Sequence, residues 1–179
     1  PIETPEFIKP KPVKRTADSV ILDGWPLSVQ GAKALAGETR TFKIGGRKMD
    51  FVKIAAGKFV VGSKDGALDE APRSIVSIDK PFWMSVKEVT NREYSDFDPV
   101  HDSGAIDQQW KDHIFPGYPA NKPEMPVIRI SWNEATAYCE WASEESGLKV
   151  ALPTEAQWEW AARAGSAGDF HFDETEIGK

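Results

Sequence analysis

The chain has 179 residues, of which 22 are basic and 28 acidic, giving a formal net charge of −6 at pH 7. This length suits one domain, or one domain with an N-terminal extension, and the acidic balance argues against a nucleic-acid binder. No run of apolar residues approaches the ~20 that a membrane span needs. The single cysteine, Cys139, excludes a disulfide within the chain.

Residues 1–18 predict an extended, solvated arm, because four prolines oppose helix and central-strand geometry. We interpret the arm as a tether or a strap that lies on the domain, and docking on a partner is the alternative. The alanine-rich residues 28–36 then predict a short helix that ends at Gly37. The arm and the helix form an N-terminal unit over residues 1–38, and residues 39–179 form the main domain.

A β-hairpin is predicted where apolar and polar residues alternate on both sides of Gly45-Gly46. Its strands cover residues 39–44 and 48–54. Three more strands are predicted over residues 58–62, 74–79 and 83–89.

An acidic loop over residues 63–72 contains Asp65, Asp69 and Glu70. Three acids beside a glycine suggest calcium, but they lack the regular spacing and the distal Glu of an EF-hand loop. We therefore favour a solvated turn over a metal site.

Three capping boxes predict three helix starts, because in each the hydroxyl and the N3 side chain satisfy each other's backbone amides. The pairs are Thr90 with Glu93, Ser131 with Glu134, and Thr154 with Gln157. The first helix is short and extends through Phe97. The second covers residues 132–146 and the third begins at residue 155. Gly147 and Gly165 are placed to end these last two helices in a left-handed conformation.

A long irregular loop is predicted over residues 98–126, and loops of this length in compact domains are often functional. Two of the three histidines lie in it, each beside an aspartate, as in a proton relay or the start of a metal site. The alternative is that polar side chains bond the loop amides while aromatic ones pin the loop to the body. The candidate residues are His101, Asp102, Asp107, Trp110, Asp112 and His113.

Cys139 falls on an apolar stripe of the 132–146 helix, together with Trp132, Ala135 and Ala142. This position predicts a buried, inert thiol. A catalytic nucleophile is the alternative, but no His or Lys lies within one turn to stabilise a thiolate.

In the last helix, the pattern predicts a packing face of Trp158, Ala161 and Ala162. Glu159 is expected to pair with Arg163 at i+4, a structural role that we favour over acid–base catalysis with Glu155. Beyond Gly165 the periodicity is lost. An aromatic strand start at residues 170–172 is followed by an acidic tail that ends at Lys179.

Four segments in order resemble the formylglycine-generating enzyme (sulfatase-modifying factor) family, and together they cover roughly residues 50–165. They are AAGKFVVGS with the acidic loop after it, PFWM with KEVTNREY, ISWNEA with the following AYCEW, and LPTEAQWEWAAR. The resemblance implies a compact α+β fold related to the C-type lectin fold. It also implies oxidation of a substrate cysteine to formylglycine with oxygen and copper, and favours a periplasmic or secreted location.

In that family, the copper-binding cysteine pair, the glycine- and arginine-rich substrate motif and the calcium ligands follow the block that contains Pro153. None of these positions can be carried onto this chain, so we expect no catalysis from it alone. We expect Lys179 to mark a cleavage or disorder boundary and a second polypeptide to complete the domain. Some family members link a cysteine at the position of Cys139 to their C-terminal half, which implies an inter-chain link here.

Three functions of the complete protein therefore compete. The first is a formylglycine-generating or related oxidase, and the second is a non-catalytic domain for binding or assembly. The third is an ergothioneine-type sulfoxide synthase, which the proline-rich start and the lack of histidines before His101 oppose. We favour the first on the family resemblance.

Overall fold

The N-terminal helix α1 (Val29–Leu35) begins where Ser28 accepts a hydrogen bond from the Gly31 amide at 3.1 Å. It lies within the predicted 28–36 segment. The structure is a computed structural model that describes residues 20–63, 72–106 and 117–167. The predicted arm, most of the acidic loop and the aromatic and acidic tail lie outside the described residues.

The predicted hairpin is present as two antiparallel strands, β1 (Ala36–Ile44) and β2 (Arg47–Ile54). Three further predicted strands follow as β3 (Gly57–Val61), β4 (Ser74–Ile78) and β5 (Phe82–Ser85). The first sheet has the order β1-β2-β5, and β3 pairs with β4 in a second sheet. The strand predicted over 83–89 is shorter than expected, because the chain leaves the sheet after Ser85 to enter the next helix.

Two further strands of two residues each, β6 (Ala105–Ile106) and β7 (Tyr118–Pro119), pair antiparallel within the long loop. This pairing was not predicted. It joins the two described ends of the loop, so the described part of the 98–126 segment has an ordered base.

The β1-β2-β5 sheet separates two hydrophobic cores, because side chains alternate between its faces. Ile54 points into the first core, and Ile44 and Met49 point into the second. The first core also contains Leu35, Phe59, Ile78 and Trp160, and the second contains Tyr94, Tyr138 and Ala142.

Three helices complete the described fold: α2 (Asn91–Tyr94), α3 (Trp132–Ser146) and α4 (Glu155–Arg163). Each begins with its predicted capping box, in which both reciprocal hydrogen bonds are present. α3 ends at Gly147 with φ 67°, as predicted, whereas α4 ends with both Ala164 and Gly165 in the left-handed region. Within the described ranges, no helix combines the length and the apolar character that crossing a membrane requires.

The predicted packing faces of α3 and α4 are partly wrong. Trp132 and Trp158 are 72% and 62% exposed, while Trp160 is 1% exposed and donates its indole N–H to the Ala55 carbonyl at 2.8 Å. Residues 158 and 160 lie on nearly opposite sides of a helix. Either tryptophan can extend an apolar stripe of α4, so the sequence pattern fits burial of either one. Which tryptophan is buried therefore depends on what the helix packs against.

The predicted ion pair between Glu159 and Arg163 is present at 2.7 Å. Glu159 also accepts a hydrogen bond from the Gly62 amide at 3.3 Å, which ties α4 to the end of β3. These contacts give Glu159 the structural role expected from the sequence.

Candidate functional site

The described residues form an apolar groove of about 1030 Å³. It lies between the β1-β2-β5 sheet on one side and α3, the 148–153 segment and the start of α4 on the other. We call it the groove throughout. Its lining includes Phe42, Phe51, Trp83, Val150, Leu152 and Trp158.

Aromatic rings form the sheet side of the groove. The ring of Phe42 meets Phe51 and Trp83 edge to face, with centroids 5.5 and 5.4 Å apart. The guanidinium of Arg40 lies 5.3 Å from the Trp83 ring centroid, within the range of a cation–π contact. The sheet side of the groove therefore combines an aromatic surface with the positive charge of the Arg40 guanidinium.

Cys139 lines the groove from α3 and is 8% exposed. Burial raises the pKa of its thiol, and Glu140 adds a smaller effect in the same direction. The thiolate needed by a nucleophile or a metal ligand is thus disfavoured. The prediction that Cys139 is buried is confirmed, and its low reactivity stays a prediction. The predicted inter-chain link stays a prediction.

Tyr138, the residue before Cys139, is also poorly suited to acid–base chemistry. Its hydroxyl donates to the sulfur of Met49 at 3.8 Å, and its pKa is raised mainly by burial. Its ring stacks on Tyr94 with centroids 5.5 Å apart. This pair belongs to the second core.

A second, smaller pocket of about 380 Å³ is polar and lies at the base of the long loop. Its centre is Ser103, which is fully buried and donates to the Asn91 side-chain oxygen at 2.6 Å. Ser103 also accepts a hydrogen bond from the Ile128 amide at 3.1 Å. His101 donates from Nε2 to the Ile128 carbonyl at 3.0 Å. A carbonyl only accepts, so Nε2 carries the proton.

Ser103, His101 and Asp102 do not form a hydrolytic triad. The carboxylate of Asp102 accepts from the Gly104 amide and from Asn121, both at 2.9 Å, and these bonds lower its pKa. Its hydrogen bonds thus go to its own loop, and Ser103 is closed to solvent. His101 and Asp102 thus bond neighbouring polar groups, and a functional role for them stays a prediction. Asp107, Trp110, Asp112 and His113 lie outside the described residues.

Asn91 fixes the position of the loop segment in this region, a role that was not predicted from the sequence. Its side-chain amide donates to the carbonyls of Ala120, Lys122 and Met125 at 2.8–3.0 Å. The available signal was an asparagine at the first position of a capped helix, where its short side chain can reach a neighbouring segment. Asn91 thereby holds the returning half of the long loop against α2.

Both arginines of the polar pocket are paired. Arg47 lies 2.6 Å from Asp96, and Arg92 lies 2.5 Å from Glu124. With Asp102 also in the lining, the carboxylates balance the arginines. The pocket therefore lacks the positive excess that an anion site would need.

The residues that the structure describes do not fit the metals that the family resemblance implies. Copper(I) prefers soft thiolate ligands, and the only cysteine is buried with a raised pKa. Across residues 20–63, 72–106 and 117–167, no three His, Cys, Asp or Glu side chains are grouped so that they could hold a metal ion.

Comparison with known proteins identifies the family. The model of the sulfatase-modifying factor enzyme 1-like domain matches residues 37–179. A formylglycine-generating enzyme of Bos taurus is 32% identical over 154 residues, which are 64% of this chain and 39% of that protein. The inactive C-alpha-formylglycine-generating enzyme 2 of the same species is 28% identical, over 70% of this chain and 52% of its own length. The chain thus spans about half or less of these relatives.

The fold agrees with this assignment. The structure of PvdO from Pseudomonas aeruginosa superposes with a TM-score of 0.62 at 30% identity, covering 80% of this chain and 58% of that one. The chain belongs to the family of sulfatase-modifying factor enzyme 1-like domains.

Proposed function

We propose that these residues form the N-terminal portion of a formylglycine-generating-enzyme-like domain whose C-terminal half supplies the catalytic groups. The family match over residues 37–179 supports this, as does the share of the PvdO chain that is covered, 58%. The complete domain would have the lectin-related fold that the resemblance implies. The completing half is a second polypeptide in this proposal.

The exposed apolar surface is the observation that carries the proposal. Trp132 and Trp158 are mostly exposed, and Leu148 and Leu152 are partly exposed. Trp158, Leu148 and Leu152 line the groove. Clustered exposed apolar side chains such as those lining the groove mark interaction surfaces. The completing polypeptide would cover the exposed tryptophans, and Cys139 would provide the inter-chain link where that polypeptide reaches the groove.

For the complete protein we propose oxidation of a substrate cysteine to formylglycine. The 32% identity to a formylglycine-generating enzyme supports this activity. Since the described residues offer no site for copper or calcium, these metals would be held by the completing half. The enzyme would act in the periplasm or outside the cell.

A non-catalytic role in binding or assembly is the second candidate. The similarity to an inactive C-alpha-formylglycine-generating enzyme 2 favours it, because the same fold occurs there in a protein named as inactive. Fold alone does not choose between a catalyst and a binding domain.

Intact mass of the natural protein under denaturing conditions, with and without reductant, tests the completing polypeptide. A second species is the expected result, and a mass change on reduction would locate the link at Cys139. A single 179-residue species that is soluble and stable would refute the partner.

An assay of the complete protein tests the activity. It would be given oxygen, copper(I) and a sulfatase-derived peptide with a cysteine, and the aldehyde would be detected with a hydrazide probe. Aldehyde formation by the complete protein and none by the 179-residue chain is expected. If the complete, copper-loaded protein forms no aldehyde, the oxidase proposal fails and the non-catalytic binding role is favoured. Cys139→Ala is the matched variant, because it removes the link while leaving any catalytic cysteines intact.

A further inference from the structure

We propose that the open edge of β1 accepts an extended, acidic segment of a partner protein as an added strand. β1 lies at one edge of the β1-β2-β5 sheet, and its residues 36–41 are all exposed. Thr39, Thr41 and Lys43 of this edge do not line the groove, so the surface is separate from the one assigned to the completing polypeptide. Docking here requires neither the groove nor an oxidase activity.

The backbone of β1 presents unused hydrogen-bonding groups along this edge. The carbonyl of Asp50 accepts from the Val86 amide at 2.9 Å, so the backbone of Asp50 points toward β5 and away from β1. Thr41 is opposite Asp50, and in such a pair the backbone groups of both residues point outward. The N–H and C=O of Thr41 therefore face the open edge, and those of Thr39 and Lys43 follow by alternation. None of these groups has a hydrogen-bond partner among the described residues.

The length and composition of β1 suit strand addition. It has nine residues, whereas strands in globular proteins most often have about 5–6, and no proline interrupts it. Natural sheet edges are commonly kept short or blocked by proline, because an open edge is a template for a further strand. Thr39 and Thr41 are β-branched and favour the extended conformation. An extended peptide can therefore bond this edge through its main chain.

The charge of the β1-β2 hairpin selects an acidic partner. Residues 36–54 contain five basic and two acidic side chains, a net charge of +3 in a chain of net charge −6. Lys43 and Lys48 are exposed and opposite each other in a non-hydrogen-bonded pair, where side chains are closest and like charges are destabilising. A carboxylate on the added strand beside Lys43 would offset this repulsion. A second copy of the chain would instead bring two basic hairpins together, which opposes self-pairing.

Hydrogen exchange of the purified natural protein, with any bound polypeptide retained, tests whether the edge is open. The amides of Thr39, Thr41 and Lys43 should exchange fast, while those of Arg40 and Phe42, which bond β2, should exchange slowly. Slow exchange at all three edge positions would show that the edge is already covered and would overturn the proposal. Protection that appears only at high protein concentration would indicate a second copy as the occupant and would overturn it as well.

A short peptide that alternates threonine and glutamate tests binding with the same readout. We expect this peptide to slow exchange at Thr39, Thr41 and Lys43 several-fold. A threonine–lysine peptide lacks the carboxylates, and an N-methylated threonine–glutamate peptide lacks main-chain donors, so neither should protect the edge. Equal protection by the lysine peptide would overturn the acidic class of partner, and equal protection by the N-methylated peptide would overturn strand addition. No protection by the unmodified peptide would overturn both.

A proline substitution tests the backbone pairing from the side of the protein. Thr41→Pro removes an outward N–H at a sheet edge, where proline is tolerated, and should weaken peptide binding several-fold. Thr41→Val is the matched control, because both variants lose the hydroxyl that donates to Asp50 but only the valine keeps the N–H. Normal binding by Thr41→Pro, with its circular dichroism intact, would contradict strand addition. If the proline variant does not fold, the N-methylated peptide decides the same point.

Charge reversal tests the electrostatic part. Lys43→Glu should weaken binding of the threonine–glutamate peptide several-fold and allow the threonine–lysine peptide to bind. Lys80→Glu, at an exposed lysine of the turn before β5, changes the net charge equally and should bind as the parent does. If the two variants bind the acidic peptide alike, Lys43 does not select the partner and the acidic class is overturned.

Discussion

The indole of Trp160 lies against the backbone of Gly57, so that a Cβ atom at residue 57 would sit 2.6 Å from its Cζ2 atom. The same indole donates to the Ala55 carbonyl and packs on Phe59 at 5.3 Å between ring centroids. α4 is thus seated on the turn before β3 by one aromatic side chain. This contact orients Trp158 toward the groove on the opposite side of the helix.

Replacing Gly57 should destabilise the domain through this contact. Gly57→Ala forces the buried ring or the strand to shift, and overpacking of this kind costs roughly 1–3 kcal/mol of unfolding free energy. Urea denaturation measures the change. Gly46→Ala is the control, since its nearest contact would be 3.6 Å from Asp96, an ordinary distance. Equal stability of the two variants would contradict a tight Gly57–Trp160 contact.

Replacing Asn91 should release the long loop. Asn91→Asp removes the donors to three carbonyls and places a negative charge among them, which should cost at least about 1–3 kcal/mol. Hydrogen exchange should show protection lost in residues 117–128 as well as lower global stability. Asn133→Asp, at an exposed position in the first turn of α3, should be neutral or slightly stabilising because a carboxylate suits that helix end. Unchanged exchange in the Asn91 variant would refute its role.

Asp102 should make stability depend on pH at the acidic end. The Gly104 amide and Asn121 lower its pKa in the folded state, so the unfolded chain binds the proton more readily. Its contribution is therefore present above the unfolded pKa and is lost as the pH falls through the folded one.

Denaturation of Asp102→Asn across acidic pH checks this dependence. The variant should be less stable than the parent near neutrality, and the difference should vanish at low pH. Glu144→Gln, on the exposed side of α3, serves as the control. A difference that grows as the pH falls would contradict the assignment.

Cys139 should react slowly with thiol reagents in the folded chain. Burial both blocks access and raises its pKa, which reduces the thiolate fraction. We expect labelling roughly tenfold or more slower than for Glu140→Cys in a Cys139→Ala background, an exposed neighbour on the same helix. In denaturant the two rates should converge. Fast labelling of native Cys139 would show that the groove opens to solvent.

Sequence patterns predicted the structure correctly where the interacting residues are close together in the sequence. The Thr90, Ser131 and Thr154 boxes were confirmed because both partners lie within four residues. The hairpin was confirmed because the Gly45-Gly46 turn and the alternating residues specify it together. Burial of Cys139 followed from its helical position.

Interactions between segments that are far apart in the sequence could not be predicted from those patterns. The roles of Asn91 and Ser103 depend on carbonyls and amides more than 20 residues away, so no local spacing indicates them. The two histidine–aspartate neighbours suggested chemistry, but His101 bonds the Ile128 carbonyl and Asp102 accepts from the Gly104 amide.

The amino-acid sequence by itself determined the order of the predicted elements, the starts of the capped helices and the family to which they belong. Backbone hydrogen bonding, capping and side-chain alternation act over a few residues, so they can be read directly from the chain. The tertiary structure alone decided that α4 buries Trp160 and exposes Trp158, since the buried ring packs against Gly57, where a side chain would collide with it. The groove also depends on tertiary packing. Its walls come from strands and helices that are brought together only when the two cores form.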